Sequence, residues 1–485
     1  MRKQYRTTAQ ASSAQRRKAV TGLTVGLLSV SAIGAATIAV KTGPGSGSTR
    51  VETVSSVSRG GEGTSGKAAT TNVDGMVFVQ SNDPQQNSIL AFHRAANGTL
   101  TPAGEFPTGG RGGSQQGNPF DPLASQESLV FDRAHKMMIA VNAGSNSVTT
   151  FRVHGERLTD PHTLSSGGDF PTSIAVSGQI VYVLNAGGTT NVTGFRMTRL
   201  GLTPLRHSTR EIGVTNDAVP LFTASPPQVG FSPNGKQLVV TTKSANTIEV
   251  FAVGRDGRLA DQAVSNPSVG AVPFSFVFDK GGHLLVTEAA KSGVTSYSLE
   301  KNGKLDVITP SAESGQQVLC WIARAGKFFY GTNPGSSTVS LYTVDAQGRV
   351  TLGGKDGVIA DAGGDAAIAD VAAAAEASAE ASAADAAAEA DAAGDDATAT
   401  PTAAASDDAA STPAASDEAA KAPGAGPIDL AATADGKLLY VQNTLAGTIE
   451  GFQVGADGSL TLVTTLDKGL PVFADGSGME GLVVW

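Results

Sequence analysis

One short pattern recurs seven times along the chain, and no other feature narrows its fold as far. The segments NDPQQNSILAF (82–92), NAGSNSVTTF (142–151), NAGGTTNVTGF (185–195), TKSANTIEVF (242–251), EAAKSGVTSY (288–297), NPGSSTVSLY (333–342) and NTLAGTIEGF (443–452) each open on a polar residue and end on an aromatic one. The aromatics Phe92, Phe151, Phe195, Phe251, Tyr297, Tyr342 and Phe452 are 59, 44, 56, 46, 45 and 110 residues apart; without the 65 residues of 361–425 the last gap is 45. A fixed period of this size marks a repeat architecture, in which each unit buries its apolar face against the next.

Within a unit the order is constant. An apolar strand such as PPQVGFS (226–232) leads into the turn PNGK, a second strand QLVVTT, a short loop, a third strand TIEVFAV (247–253), and the turn RDG before a final polar strand. Period-two alternation and Asn-Gly or Asp-Gly turns predict antiparallel hairpins. Four short strands per unit predict an all-β, seven-bladed β-propeller of four-stranded antiparallel blades, spanning 76–360 and 426–485. The first unit begins at MVFVQSN (76–82) without an innermost strand, and the chain ends on GMEGLVVW (478–485). The C-terminal strand is therefore expected to complete the first blade and close the ring.

The charge of -9 is unevenly spread. Residues 1–40 hold six Lys or Arg and no acid, residues 361–425 hold fourteen acids and one Lys, and the rest is close to neutral. No basic stripe lies in the repeats, so no nucleic-acid partner is expected. The tail MRKQYRTTAQASSAQRRKAV followed by the uncharged TGLTVGLLSVSAIGAATIAV (21–40) reads as a signal peptide or an N-terminal membrane anchor, and the two stay open because no A-x-A site follows. Either would place the repeats outside the cytoplasm, with the membrane touched only through that segment. Residues 41–75 read as a flexible linker. Segment 361–425, about half Ala with Asp and Glu, reads as a disordered acidic insert, since it holds almost no large apolar side chains.

One Cys and six scattered His exclude a disulfide framework and a local metal pair, so neither metal nor other cofactor is expected. Chemistry is expected at the axis of the ring. The residues opening the repeats, Asn142, Asn185, Asn333 and Asn443 among them, would ring one channel mouth and bind ligand hydroxyls, or else cap their own loops. Ser128, Ser173, Gln228, Ser275, Cys320 and Asp429 align as channel-facing positions, where a water-filled channel would solvate them. Glu288 replaces Asn in the fifth unit and Lys243 follows Thr242 in the fourth; with Asp429 they would polarise a carbonyl and activate a water, or else Lys243 and Glu288 form only an inter-blade ion pair. Trp321 would pack or wall the channel. GGRGGSQQGNP (109–119) reads as a loop between the first two blades.

The runs PNGK…LVVTTKSANTIEVFAVGRDGRL, VYVLNAGGTTNVTGF and LYVQNTLAGTIEGFQVGADGSLT resemble those of the seven-bladed lactonase family, which includes 6-phosphogluconolactonases and carboxymuconate-cyclising enzymes. The resemblance covers 76–360 and 426–485 and is nearest to exported, actinobacterial-type members with a Pro-Phe inner strand and a Cys-Trp pair, here Pro273-Phe274 and Cys320-Trp321. It implies hydrolysis of a lactone or related cyclic ester. Enzymatic members carry Pro-Arg-His, the Arg for an anionic substrate and the His for acid/base work, where this chain has Pro273-Phe274-Ser275. The expectation is therefore an exported, monomeric lactonase-like protein for a small lactone or sugar-like molecule, or a non-catalytic propeller that binds a small ligand or an envelope partner.

Overall fold

Each repeat unit forms one antiparallel sheet, and blade 4 shows how the sequence dictates it. Gln228–Phe231, Gln237–Thr242, Thr247–Ala252 and Val264–Pro267 pair in that order from the axis outward. The first connection turns at Gly235, whose φ of 66° suits glycine, while Asn234 Oδ1 accepts the Lys236 N–H at 2.9 Å. The structure is a computed structural model that describes residues 73–363, 425–471 and 478–485. The basic tail, the apolar stretch after it, nearly all of the linker and most of the acidic insert lie outside those residues.

Seven such sheets are present. The first strand begins at Val73, paired with Ala95 across a bulge at Asp74, three residues ahead of the repeat's apparent start. In blades 3 and 6 the outer strand is broken in two: Gly201–Pro204 and Arg210–Thr215 both pair with Thr189–Thr198, and Val350–Leu352 and Ala360–Asp361 both pair with Thr338–Val344. Second strands such as Met137–Asn142 and Gln237–Thr242 are buried at every position, because neighbouring sheets cover both faces. The seven repeat aromatics sit on third strands, none more than 3% exposed, and fill the spaces between blades.

The ring closes through the C-terminus. Leu482–Val484 is the innermost strand of blade 1, in register Val77↔Val484, Phe78↔Val483 and Val79↔Leu482. Met76 and Trp485 exchange both backbone hydrogen bonds, at 2.7 and 2.8 Å. The closure read from the sequence is thus what the chain does.

Inner strands start on one face, called here the upper face, and turn back on the lower. The segment between blades 1 and 2 is more than a connecting loop: it runs over the upper face and descends into the axis. Asn82 fixes its start, donating to Gly113 O and accepting the Gly113 N–H. It meets the long connection between blades 3 and 4 through a Gln116–Leu221 bridge and an edge contact of Phe120 with Phe222. Deeper down, Ser125 Oγ donates to Thr172 O, Trp321 Nε1 donates to Ser125 O at 2.8 Å, and Gln126 exchanges hydrogen bonds with Ile322 N and O. Residues 120–127 therefore plug the channel from above, tied to blades 3 and 6 at once.

Candidate functional site

The polar residues that open the repeats do not face a shared funnel. Asn142, Asn185, Asn333 and Asn443 are all fully buried, and each amide closes its own hairpin. Asn142 Nδ2 donates to Ser147 Oγ and Thr149 Oγ1, Asn185 Nδ2 to Asn191 Oδ1, Asn333 Nδ2 to Ser340 Oγ, and Asn443 Nδ2 to Thr448 Oγ1 and Glu450 Oε2. The reason is local: a hairpin loop leaves backbone and hydroxyl groups that one amide can satisfy. In blade 1 this place belongs to Ser81, bonded to Ser88, rather than to Asn82.

Glu288 plays the same part in blade 5. It accepts from Ser268 Oγ and the Gly270 N–H at 2.8 Å each and from Thr295 Oγ1 at 2.7 Å, with no exposed surface. Gly270 is required there, since a Cβ would lie 1.8 Å from Glu288 Oε2. No ion pair joins Glu288 to Lys243 among the described residues. The expected Glu288–Lys243 partnership is replaced by two separate environments, because the Glu288 side chain turns into its own hairpin.

The inner-strand set is also used differently than expected. Gln228 exchanges two hydrogen bonds with Phe276 of the next blade, Ser173 Oγ donates to Gln126 O and accepts the Val229 N–H, and Ser275 donates to Cys320 O. These side chains staple one inner strand to its neighbour, so pairing rather than channel water satisfies them. Cys320 is buried, its thiol pushed far up by desolvation, which removes it as a nucleophile. Trp321 packs edge-on against Phe274 at 4.9 Å, so Pro273-Phe274-Ser275 belongs to the core.

At the plug, the axis gathers ionisable groups from distant parts of the chain. Lys243 donates to Phe222 O and lies 4.8 and 5.3 Å from the Phe222 and Phe274 ring centroids. Burial pulls its ammonium down to about 8, opposed by the nearby Asp121. Asp121 Oδ2 and Glu480 Oε2 are buried without a hydrogen-bond donor, and the proximity of the two carboxyls disfavours ionisation of both at once. Desolvation pushes Asp121 up to about 6 and Glu480 well above the usual carboxylate range. Asp429 accepts the Leu430 and Leu482 N–H groups at 2.8 Å, yet desolvation first and then Glu127 push it up to about 8.

These shifts fix the sign of a pH effect on stability. Asp121, Asp429 and Glu480 hold protons in the folded chain at pH values where the unfolded chain has released them. Stability from these groups is therefore fullest near pH 4 and falls as the pH rises toward about 8, by at most about 1.4 kcal/mol per pH unit for each proton retained. Lys243 acts only above its lowered value, where further alkali restores stability. The melting temperature is expected to fall between pH 5.5 and 8, with a flatter slope in Asp429→Asn; a melting temperature that climbs steadily across that range would contradict the burial of these acids.

The lower end of the axis is open. A cavity of about 620 Å³ reaches up to Glu127 and is lined by inner-strand residues of blades 2 to 6, Gln228, Phe276 and Arg324 among them. Glu127 is exposed into this cavity, and its carboxylate has no hydrogen-bond or ion-pair partner among the described residues. Its φ of 67° is the left-handed conformation that non-glycine residues avoid, held by the plug above and by its own C=O, which accepts the Ile174 N–H. Although the side chain faces the cavity, desolvation by the protein packed around it pushes its carboxyl up to about 7. Asp132, on the rim, is occupied by His135. Arg324 Nε donates to Gly326 O, while its Nη groups have no protein partner among the described residues. Sequence reasoning missed Asp121, Glu127 and Glu480, since none belongs to the repeat. A carboxylate that titrates near neutrality, a guanidinium held through Nε by Gly326 O with its Nη groups free, and an apolar wall form a site suited to water activation at a carbonyl.

The sequence profile described as Lactonase, 7-bladed beta-propeller matches residues 205–319 and 286–479. No protein of curated function matches the chain. Among solved structures, a 6-phosphogluconolactonase named as such by inference from Bacteroides fragilis superposes with a TM-score of 0.56 at 17% identity, covering 86% of this chain and 99% of that one. The Pseudomonas aeruginosa periplasmic gluconolactonase gives 0.55 at 15% identity, covering 84% and 98%. At these identities the superpositions establish the common fold.

Proposed function

Because the chain belongs to the seven-bladed β-propeller lactonase family, we propose that it is a lactone hydrolase working at the open lower mouth, with Glu127 as general base. The observation that carries this reading is an unpartnered carboxylate, strained into the left-handed region, at the end of an axial cavity. Ionised Glu127 takes a proton from a water molecule as the water oxygen attacks the lactone carbonyl carbon. Arg324 donates to the carbonyl oxygen as it gains charge. The ring C–O bond then breaks, and Glu127 returns the proton to the departing alkoxide, so that the product is the hydroxy acid.

The substrate class is a neutral lactone. The core position of Pro273-Phe274-Ser275 leaves no counterpart of the family's anion-holding Arg. Export fits both the basic and apolar N-terminus of the sequence and the periplasmic relative of the same fold. Acid release from a panel of neutral γ- and δ-lactones, measured against the boiled protein, tests the activity. Saturable hydrolysis of a panel member supports it, and saturable binding without hydrolysis replaces it with a ligand-binding propeller.

A further inference from the structure

A second cavity, of about 920 Å³, lies on the lower face at the seam between blades 7 and 1. It meets the axial cavity at Arg133, which lines both, and a smaller one of about 350 Å³ at Asp74 and Trp485. A groove thus runs outward from the mouth along the closing strand. Its walls are polar but nearly charge-balanced. Arg94 pairs with Asp74 at 3.3 Å, Lys437 pairs with Asp435 at 3.2 Å, and Arg133 donates to Val484 O at 2.9 Å. Asn97, whose Oδ1 accepts from Thr99, and Gln453 add uncharged amides, and the half-buried Trp485 indole, tilted against Phe131 at 5.4 Å, adds apolar surface. Gly75 lets these walls meet, since a Cβ there would lie 2.0 Å from Trp485 O and 2.4 Å from Arg94 Nη2. Arg94 is 6% exposed, and its Nε has no partner.

We propose that this groove binds a neutral saccharide chain, so that the lactone at the mouth is the end of an oligosaccharide. The chemistry disfavours strongly charged occupants. A polyanion needs several uncommitted cations, whereas Arg94 and Lys437 are paired with Asp74 and Asp435 and only Arg133, bonded to Val484 O, keeps its charge unpaired. A sugar ring presents an apolar face for the indole and hydroxyls that both donate and accept, which matches paired carboxylates, guanidinium groups and amides side by side. The substrate part of this inference rests on the Glu127 reading, whereas the binding part stands alone.

The test exploits the two tryptophans of the chain. Trp321 is fully buried, so Trp485 is the one a ligand in the groove can touch. Intrinsic fluorescence of the full chain is titrated with cellotetraose, maltotetraose and chitotetraose, and with tetragalacturonate as the charged counterpart. A saturable change with a neutral tetrasaccharide is expected, weakened about tenfold in the Asn97→Ala/Gln453→Ala double variant, by loss of hydrogen bonds at roughly 1.4 kcal/mol per tenfold change. The Glu127→Gln variant is expected to bind as the parent does. No saturable change with any neutral tetrasaccharide, tighter binding of tetragalacturonate, or affinity untouched by the double variant would each overturn the groove. Saccharide binding in a protein that hydrolyses no lactone would instead leave the groove standing and remove the Glu127 reading.

Discussion

Removing residues 482–485 is expected to open the whole ring rather than loosen one blade. Leu482 and Val484 pack against Val77 and Val79 of blade 1 and Tyr440 and Ile449 of blade 7, while Val483 and Trp485 lie against the cluster of Phe78, Leu129 and Met138. Burying each such aliphatic side chain is worth about 1.5–3 kcal/mol, and each ladder hydrogen bond about 0.5–1.5 kcal/mol. Their sum is comparable to the total stability of about 5–15 kcal/mol of an ordinary protein. The deletion also leaves Val77–Val79 as an unpaired inner edge and deprives Asp429 of the Leu482 N–H. The expected outcome is loss of cooperative melting, read by circular dichroism, together with proteolysis throughout the blades. Fusing the strand through a short turn ahead of Val73 should restore melting, because Trp485 and Met76 are already hydrogen-bonded neighbours. A deletion variant that melts like the parent would contradict closure by this strand.

Glu127→Gln carries the largest expected effect on activity. The amide has nearly the same shape, faces the cavity and breaks no side-chain bond, so at pH 5, where the parent carboxyl keeps its proton, the melting temperature should stay close to the parent's; at pH 8 it should rise, because the variant no longer ionises a desolvated carboxyl. It cannot accept the proton of the attacking water. A positioned general base contributes about 10²–10⁴ in rate, and kcat should fall by that factor with KM little changed. Hydrolysis at the parental rate in this variant would move the chemistry away from the mouth.

The blade architecture was legible because its signals are local and repeated: aromatics at a fixed period, Asn-Gly and Asp-Gly turns, and an orphan final strand. The same repetition misdirected the search for a site. A residue that recurs in every unit, as Asn142, Asn185, Asn333 and Asn443 do, serves what every unit needs, which is a closed hairpin. Glu288 is the carboxylate version of that role, and its solitary charge gave no sign of the donors waiting around it. Asp429 sits at a bulge at its strand start, where it accepts the Leu482 N–H and feels the Glu127 charge. Asp121, Glu127 and Glu480 stand outside the alignable segments and come together only through tertiary contacts. A trace of them was present in the spacing. The gaps of 59 and 56 residues exceed the others by about a dozen, and the two longer connections are those that meet over the axis through Gln116–Leu221 and Phe120–Phe222.

The claim that an axial carboxylate performs the chemistry is tested most directly by the pH dependence of kcat/KM for a neutral lactone, corrected for buffer hydrolysis. A base must be ionised to act, so activity should be lost in acid and rise through a single ionisation near 7 to a plateau, following the free Glu127 carboxyl. A profile that is flat from pH 5 to 8, or one that falls through neutrality, would contradict the account.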